Sequence, residues 1–300
     1  MTRLSVVIPS FNTRELLRSS LCALDPVLPG SSEVIVVDNA SQDGSGSMVM
    51  REFPHVRLLR NDTNEGFARA VNQGFERTRG EFVLILQADT EFFSSSVRPL
   101  VSFLQANERY GAVTPQVLNP DGTVQPIVGG LPRLSTPLWE ALRRWAPNSA
   151  ELARYEGGGF DYDHDMDVER VEAVCLLVRR RALRKRDPLD EELGLFFTDT
   201  DLSRRFGQGG WRTRYVTEVQ LFHHGQRSLI QLQDTDALWH RSRVAYYRKH
   251  HGSLAGDWVK LCAGVAFADQ FVSELWRRAN GQEERPLRPA YEGLTGCLRA

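Results

Sequence analysis

The chain has 300 residues and a mass of 34.0 kDa, which predicts one large domain or a domain with an appendage. With 41% hydrophobic and 25% charged residues, its composition is that of an ordinary globular protein and excludes collagen, coiled coil and general disorder. The 37 Lys and Arg residues against 38 Asp and Glu residues leave a net charge of -1. We therefore expect no nucleic acid as a partner, because no overall positive field would gather it.

The cysteines show no metal-binding or redox pattern. Cys22, Cys175, Cys262 and Cys297 are scattered and form no C-x-x-C pair, which argues against a zinc ribbon, a thioredoxin-like site or a disulfide framework. This usage predicts a cytoplasmic protein, and the first strand follows Met1 with no signal-like apolar segment. The apolar run at 259–268 is shorter than the roughly 20 residues that span a bilayer. Any membrane contact is therefore expected to be peripheral, at the inner face.

Strand-like and helix-like segments alternate through the first half of the chain. The predicted strands cover residues 4–9, 33–38, 56–61 and 81–89, and the predicted helices between them cover residues 14–24, 45–53 and 68–79. Consecutive Val, Ile and Leu residues in most of these strands indicate that both faces of the sheet are covered. The alternation predicts an α/β fold with a mixed, mainly parallel central sheet.

The second half is less regular. It contains predicted helices at 96–107 and 199–207, predicted strands at 111–115, 171–179 and 213–223, and further helical segments beyond residue 228. Pro, Gly and acidic clusters predict a loop-rich insertion at about 131–167. The pattern therefore predicts one domain over residues 1–230 and a C-terminal helical extension over residues 231–300.

Polar residues follow the predicted strands where each one ends. They are Asn12, Asp38, Asn61 and Asp89. In open α/β sheets this edge binds ligands. The carboxylate of Asp38 could accept hydrogen bonds from a base or a ribose hydroxyl, or it could cap the next helix.

Further segments place candidate ligand-binding residues at the same edge of the sheet. Asn64 and Gly66 precede a helix whose free N–H groups could face an anion, although the turn lacks the Gly-Lys-Ser/Thr of a P-loop. The carboxylate of Asp89 could bind a divalent cation beside a diphosphate, and His223 could be a second ligand that Mn accepts more readily than Mg. The alternative interpretations are structural. Asn64 and Gly66 would form a simple strand-to-helix turn, and His223 would be a packing residue.

Asp199 opens a predicted helix directly after Phe196 and Phe197. A carboxylate in such a place could act as a general base. The other interpretation is structural, with Thr198 as the N-cap and Asp199 complementing the helix dipole.

Six segments occur in the order found in one enzyme family. They are Ser5-Val6-Val7-Ile8-Pro9, Val36-Val37-Asp38-Asn39-Ala40-Ser41, Asn64-Glu65-Gly66-Phe67-Ala68, Leu86-Gln87-Ala88-Asp89, Phe196-Phe197-Thr198-Asp199-Thr200-Asp201-Leu202 and His223-His224-Gly225-Gln226-Arg227-Ser228. Over roughly residues 3–250 the chain resembles the family 2 glycosyltransferases of the GT-A fold, in particular the bacterial rhamnosyltransferase-type branch. Together the six are far more specific than any one of them.

The resemblance implies a donor site at the sheet edge. In such enzymes the positions of Pro9 and Asp38 line the nucleotide pocket, and the acid reads the base. The turn that contains Asn64 and Gly66 borders the nucleotide and the sugar, and Asn12 belongs to the same set.

The resemblance also implies metal and catalytic residues. Asp89 matches the last acid of the D-x-D motif that binds a divalent metal, His223 matches a histidine that can complete the metal shell, and Asp199 matches the catalytic base. The chain departs from the family where Gln87 replaces the first acid of D-x-D and where Thr198 replaces a Glu.

The activity so implied is inverting transfer of a sugar from a nucleoside-diphosphate sugar to a hydroxyl of a carbohydrate, lipid-linked or small-molecule acceptor. Two alternatives are a nucleotide-sugar-binding protein without catalysis and a sugar nucleotidyltransferase. The second would carry a glycine-rich loop with a basic residue after the first strand, which residues 9–13 do not provide.

Overall fold

A computed structural model describes residues 4–93, 96–183, 188–225 and 235–280, together with residues 295 and 298. Its strands are β1 (Leu4–Ser10), β2 (Glu33–Asp38), β3 (Arg57–Arg60), β4 (Phe82–Leu86), β5 (Thr90–Phe92), β6 (Tyr110–Leu118), β7 (Val128–Gly129), β8 (Met166–Val168), β9 (Arg170–Val171), β10 (Cys175–Arg179) and β11 (Arg212–His223). Its helices are α1 (Arg14–Leu24), α2 (Ser45–Glu52), α3 (Phe67–Glu76), α4 (Arg98–Ala106), α5 (Thr136–Ala141), α6 (Ala150–Tyr155), α7 (Thr198–Gln208), α8 (Thr235–His251) and α9 (Ser253–Ala279).

The central sheet is mixed, as the sequence predicts. Within the described residues its strand order is β3-β2-β1-β4-β10-β6-β11-β5, and β8 also pairs with β11. The neighbours from β3 to β4 are parallel, whereas β10 runs antiparallel to both β4 and β6. The apolar runs of β1, β2 and β4 are buried almost throughout because helices cover the sheet.

The predicted strand at 81–89 is shorter in the structure. β4 ends at Leu86, and after a short turn β5 begins at Thr90 and pairs with β11 instead. Asp89 therefore lies at the end of this turn, next to the last residues of β11.

Helix α3 packs closely on the parallel strands through Gly74. A Cβ atom at Gly74 would lie 2.4 Å from Val7 Cγ1 and 3.1 Å from Val37 Cγ2. This close approach brings α3 directly against β1 and β2, and it places the turn before α3 at the carboxyl edge of both strands.

The basic run that begins at Arg179 is partly structural. Arg179 is buried, and its guanidinium donates to the carbonyls of Leu104 and Asn107 at the end of α4 and of Tyr110 at the start of β6. Arg180 donates to Gly80 O at 2.7 Å. Residues 184–187 of the run lie outside the described residues.

By contact the chain forms two compact units. The first comprises residues 1–131, 157–191 and 198–231, and the second comprises residues 132–156, 192–197 and 232–300. The predicted boundary at residue 230 stays a prediction.

The second unit is helical. Its buried core is formed by Leu193, Phe197, Val244, Tyr246, Tyr247, Ala255 and Val259. Residues 132–156 of the predicted loop-rich insertion, with α5 and α6, belong to this unit. A buried ion pair joins Glu140 of α5 to Arg243 of α8. Within the described ranges no helix has both the length and the apolar character needed to cross a bilayer.

Candidate active site

Asp38 ends β2 as a buried carboxylate. It lies beside Ser10 of β1, its Oδ1 accepts a hydrogen bond from Ser41 N at 3.0 Å, and its Oδ2 is 3.6 Å from Arg60 Nε. The capping position of the following helix is Gly44, with no side-chain cap. The carboxylate therefore organises the turn after β2 and does not cap α2.

Two left-handed residues shape the loops at this edge. Asn12 (φ 50°) and Ala40 (φ 67°) adopt a backbone conformation that is uncommon outside glycine. Asn12 N donates to Ser41 Oγ at 2.9 Å, and Asn12 Oδ1 accepts from Gln42 N at 2.7 Å, so the loop after β1 is bonded to the loop after β2. Such strained positions cluster at ligand-binding sites.

Asn39 connects β2 to the turn before α3. Its amide nitrogen donates to Asn64 Oδ1 at 2.7 Å, and its amide oxygen accepts from Asn61 Nδ2 and Glu65 N, both at 2.9 Å. Gly66 follows in a left-handed conformation (φ 84°) directly before the helix. Pro9 and Asp38 at the ends of β1 and β2, and Asn12, Asn64 and Gly66 on the loops beyond the strands, therefore lie at one edge of the sheet.

Asn39 is a site residue that the sequence prediction missed. The residue lies within the Asp38 segment, but only its contacts identify it as the residue that joins the end of β2 to the loop between β3 and α3. Its amide is buried, and the network satisfies its donors and acceptors, as a buried polar group requires.

A second cluster forms around His223 at the end of β11. The Nε2 atom of His223 lies 3.0 Å from Gln87 Oε1 and 3.4 Å from Asp89 Oδ1, and its Nδ1 atom lies 2.8 Å from Gln125 Oε1. Asp89 and His223 are both nearly buried. Gln125 is a further contact that sequence inspection did not single out, because it lies after a turn with no motif.

The donor set around His223 fits a divalent cation. Ligands at about 2.1 Å from one octahedral ion lie about 3.0 Å apart. His223 Nε2 lies 3.0 Å from Gln87 Oε1 and 3.4 Å from Asp89 Oδ1. The set holds one carboxylate, one imidazole and one amide, and no group of three or more His, Cys, Asp or Glu side chains suited to a metal occurs in the described part of the chain. Other ligands would have to come from substrate or water.

The start of β10 brings Asp199 to this cluster. Because β10 is antiparallel to β4, Cys175 pairs with Leu86 and the residues before it lie at the carboxyl end of β4. Gln87 Nε2 donates to Ala173 O at 3.4 Å, and Ala173 N donates to Asp199 Oδ2 at 3.3 Å. The backbone of Ala173 thus joins Asp199 to the side chain of Gln87.

The two acids at the start of α7 differ in environment. Asp201 is fully buried and pairs with Arg205, whose Nε is 2.7 Å from Asp201 Oδ2. Asp199 is partly exposed, and its Oδ1 accepts from the N–H of Thr200 at 2.7 Å. Asp201 is therefore structural, whereas Asp199 keeps a face toward solvent.

Glu172 is a third residue missed from sequence. It precedes Ala173 and lies 3.5 Å from Arg170 Nη1. Desolvation raises the pKa of Glu172 above its ordinary value, the charge of Arg170 opposes this, and the negative charge of Asp199 raises the pKa further. Glu172 thus adds a carboxylate to the electrostatic surroundings of Asp199 and His223.

Sequence comparisons relate the chain to glycosyl-transferring proteins. Residues 5–152 match the model of the family described as "Glycosyl transferase family 2". An N-acetylglucosaminyl-diphospho-decaprenol L-rhamnosyltransferase from Mycobacterium tuberculosis is 27% identical over 244 residues, covering 75% of this chain and 77% of that protein. A GalNAc(5)-diNAcBac-PP-undecaprenol beta-1,3-glucosyltransferase from Campylobacter jejuni is 30% identical over 117 residues, which are 38% of this chain and 37% of that protein.

Structure comparisons agree on the fold. The mannosyltransferase PcManGT from Pyrobaculum calidifontis, solved with GDP-Man and Mn2+, superimposes with a TM-score of 0.58 at 17% identity, covering 99% of this chain and 85% of that one. TarS from S. aureus, in complex with UDP-GlcNAc, gives a TM-score of 0.56 at 13% identity and covers 89% and 73% of the two chains. At such low identity these similarities support the GT-A architecture alone.

Proposed function

We propose that the chain is a family 2 glycosyltransferase and that it moves a hexosyl or deoxyhexosyl group from a nucleoside-diphosphate sugar to an acceptor hydroxyl with inversion at the anomeric carbon. The donor nucleotide binds at the edge of the sheet that is formed by Pro9, Asn12, Asp38, Asn64 and Gly66. The similarity to a lipid-diphosphate-dependent rhamnosyltransferase favours a lipid-linked sugar as acceptor.

The observation that carries this proposal is the position of Asp199. Its carboxylate accepts a hydrogen bond from Ala173 N, and Ala173 O accepts one from Gln87, which belongs to the cluster around His223. A general base must lie close to the bond that forms. Asp199 meets this condition in the proposal, because only the backbone of Ala173 lies between its carboxylate and Gln87 in this chain of hydrogen bonds.

In the proposed reaction Asp199 accepts the proton of the acceptor hydroxyl. The hydroxyl oxygen then attacks the anomeric carbon on the face opposite the nucleoside diphosphate, the bond to the diphosphate oxygen breaks, and no covalent enzyme intermediate forms. Helix α7 holds the carboxylate through the N–H of Thr200, so it is positioned before the acceptor arrives.

Asp89 and His223, with Gln87, would hold a divalent cation. The cation would supply positive charge to the diphosphate as it leaves. His223 is oriented for this by Gln125 at its Nδ1 atom, which leaves Nε2 directed toward Gln87 and Asp89.

The first test is Asp199→Asn, which removes the base and keeps the side-chain size. Purified protein receives dTDP-, UDP- or GDP-sugars with a short-chain polyprenyl-diphosphate N-acetylglucosamine, and release of nucleoside diphosphate is measured. We expect the variant to lose roughly 100-fold or more in kcat, because general base catalysis contributes about that factor.

Asp121→Asn, in an exposed turn, is the matched control and should turn over like the wild type. Nucleotide binding by Asp199→Asn, measured calorimetrically, should persist. A variant that keeps full turnover contradicts the assignment of Asp199, and a wild type that binds nucleotide sugars yet releases no nucleotide with any acceptor supports the binding-protein alternative.

A further inference from the structure

Helix α9 exposes large apolar side chains along one face. Leu254 is 80% exposed, Val272 is 63% exposed and Leu261 is 60% exposed. The other members of this face are Val265, Phe271, Leu275 and Trp276. The opposite face is buried against α8 and α5 of the same unit. Monomeric proteins rarely expose contiguous apolar surface of this extent.

The exposed residues follow a heptad repeat. Leu254, Leu261, Ala268 and Leu275 are seven residues apart, and Val265 and Val272 form a second row between them. Trp258, which is partly buried and donates to Leu134 O, continues the second row. This 4-3 spacing places the side chains on one narrow line along the helix, as in helices that pack against a partner helix.

The charges on α9 disfavour a lipid surface as the occupant. The helix carries three acids, Asp257, Asp269 and Glu274, and three bases, Lys260, Arg277 and Arg278. Helices that bind anionic membranes have polar faces rich in Lys and Arg, whereas this helix has no net charge.

An antiparallel second copy of α9 complements this face in shape. When Val265 of one helix faces Ala268 of the other, Gly264 faces Phe271 of the second copy. A Cβ at Gly264 would meet no atom within 4 Å, so the helix surface is open there. A glycine opposite an exposed phenylalanine ring permits close packing.

The same register complements the charges at both ends. Asp257, whose side chain is 66% exposed and lies 3.8 Å from Arg248 of its own chain, faces Arg278 of the second copy, whose side chain is 49% exposed and lies 3.3 Å from Glu274 of its own chain. In a parallel pair, Asp257 would lie beside Cys262, which is buried in its own unit.

The exposed apolar face has seven large members that are between 41% and 80% exposed. Two of them, Phe271 and Trp276, are aromatic residues of the type that buries roughly 150–250 Å² each. A standard interface buries about 800 Å² from each partner. From the heptad, the shape and the charges, we propose that the protein is a homodimer whose α9 helices pack antiparallel along this face.

The test is the mass of the full-length protein in solution, measured by sedimentation velocity across micromolar concentrations. The wild type should sediment as a dimer. Leu261→Glu places a charge in the centre of the interface, and its dimer dissociation constant should rise at least about 100-fold. Gln270→Glu makes the same charge change at an exposed position off the apolar face and should leave the dimer intact.

A charge swap tests the orientation. Asp257→Arg and Arg278→Asp should each weaken the dimer, and the double variant should restore it, because the two residues face each other only in the antiparallel pair. A monomeric wild type overturns the proposal, as does a dimer that Leu261→Glu leaves unchanged. Binding of monomeric wild type to phosphatidylglycerol vesicles that Leu261→Glu abolishes would identify a lipid surface as the occupant.

Discussion

At the scale of single residues, the site depends on polar side chains that hold loops in place. Asn39 fixes the turn before α3, Gln125 orients His223, and the backbone of Ala173 positions Asp199. The residue type of each permits these hydrogen bonds, but it does not by itself predict that they form. The acids at positions 38, 89 and 199 depend on these neighbours for their orientation.

Glu172 gives a prediction for pH dependence. Its pKa is raised above the ordinary value of 4.5, so the unfolded chain ionises first and the stability of the native state falls as pH rises above about 4.5. Glu172→Gln removes this penalty. We expect its Tm at pH 8 to exceed that of the wild type by about 1–3 °C, since about half of the side chain is exposed and solvent screens the effect.

The difference in Tm should close below pH 4.5, where the wild-type carboxyl is protonated in both states. Thermal melts of the two proteins between pH 4 and pH 8 measure this. Glu218→Gln, on the exposed side of β11, should show no such trend. A lower Tm for Glu172→Gln at pH 8 would mean that the pair with Arg170 outweighs desolvation.

At the scale of elements, helix α3 is positioned by the absence of a side chain. Gly74 allows the helix to lie directly on Val7 and Val37, and the helix start therefore reaches the loops of the proposed donor site. The reversed strand β10 has the complementary effect, because its first residues lie where β4 ends.

Gly74→Ala tests this packing. Alanine favours helix by about 1 kcal/mol over glycine, but the added Cβ would overlap Val7, so we expect a net loss of about 1–3 kcal/mol in the free energy of unfolding. Urea denaturation measures the change. Gly207→Ala in α7 meets no atom within 4 Å and should stabilise the protein instead. Equal effects of the two substitutions would contradict the close approach of α3.

At the scale of the whole molecule, the site residues belong to one compact unit. Residues 38, 89, 199 and 223 all lie in the first unit, although Asp199 follows a segment that belongs to the second. A ligand at this site is therefore expected to stabilise the first unit. The cytoplasmic location predicted from the cysteines stays a prediction.

Donor binding should raise the melting temperature. At 100 times its dissociation constant a nucleoside diphosphate adds about 2.7 kcal/mol of stability, which is several degrees. We expect dTDP, UDP or GDP with Mn2+ to give this shift in a thermal melt, and EDTA or His223→Ala to reduce it. His164→Ala, an exposed histidine, is the control. If no nucleotide shifts the melt with Mn2+ or Mg2+, the proposed donor site is wrong.

Local patterns in the sequence determined the α/β class, the strands that form the parallel half of the sheet and the acids at their ends. They did so because consecutive apolar residues and strand-end polar residues are short-range features. The six ordered segments, which include Asp38, Asp89 and Asp199, also indicated the resemblance to family 2 glycosyltransferases, since together they carry more information than any one.

Only the tertiary structure decided the rest. The reversal of β10, the joining of residues 132–156 to the C-terminal helices, and the contacts of Asn39 and Gln125 all connect residues far apart in the chain. Hydrophobic periodicity reports which face of an element is buried but not which element covers it. Long-range pairing is decided by packing and hydrogen bonding in the folded chain, and no local window of sequence contains it.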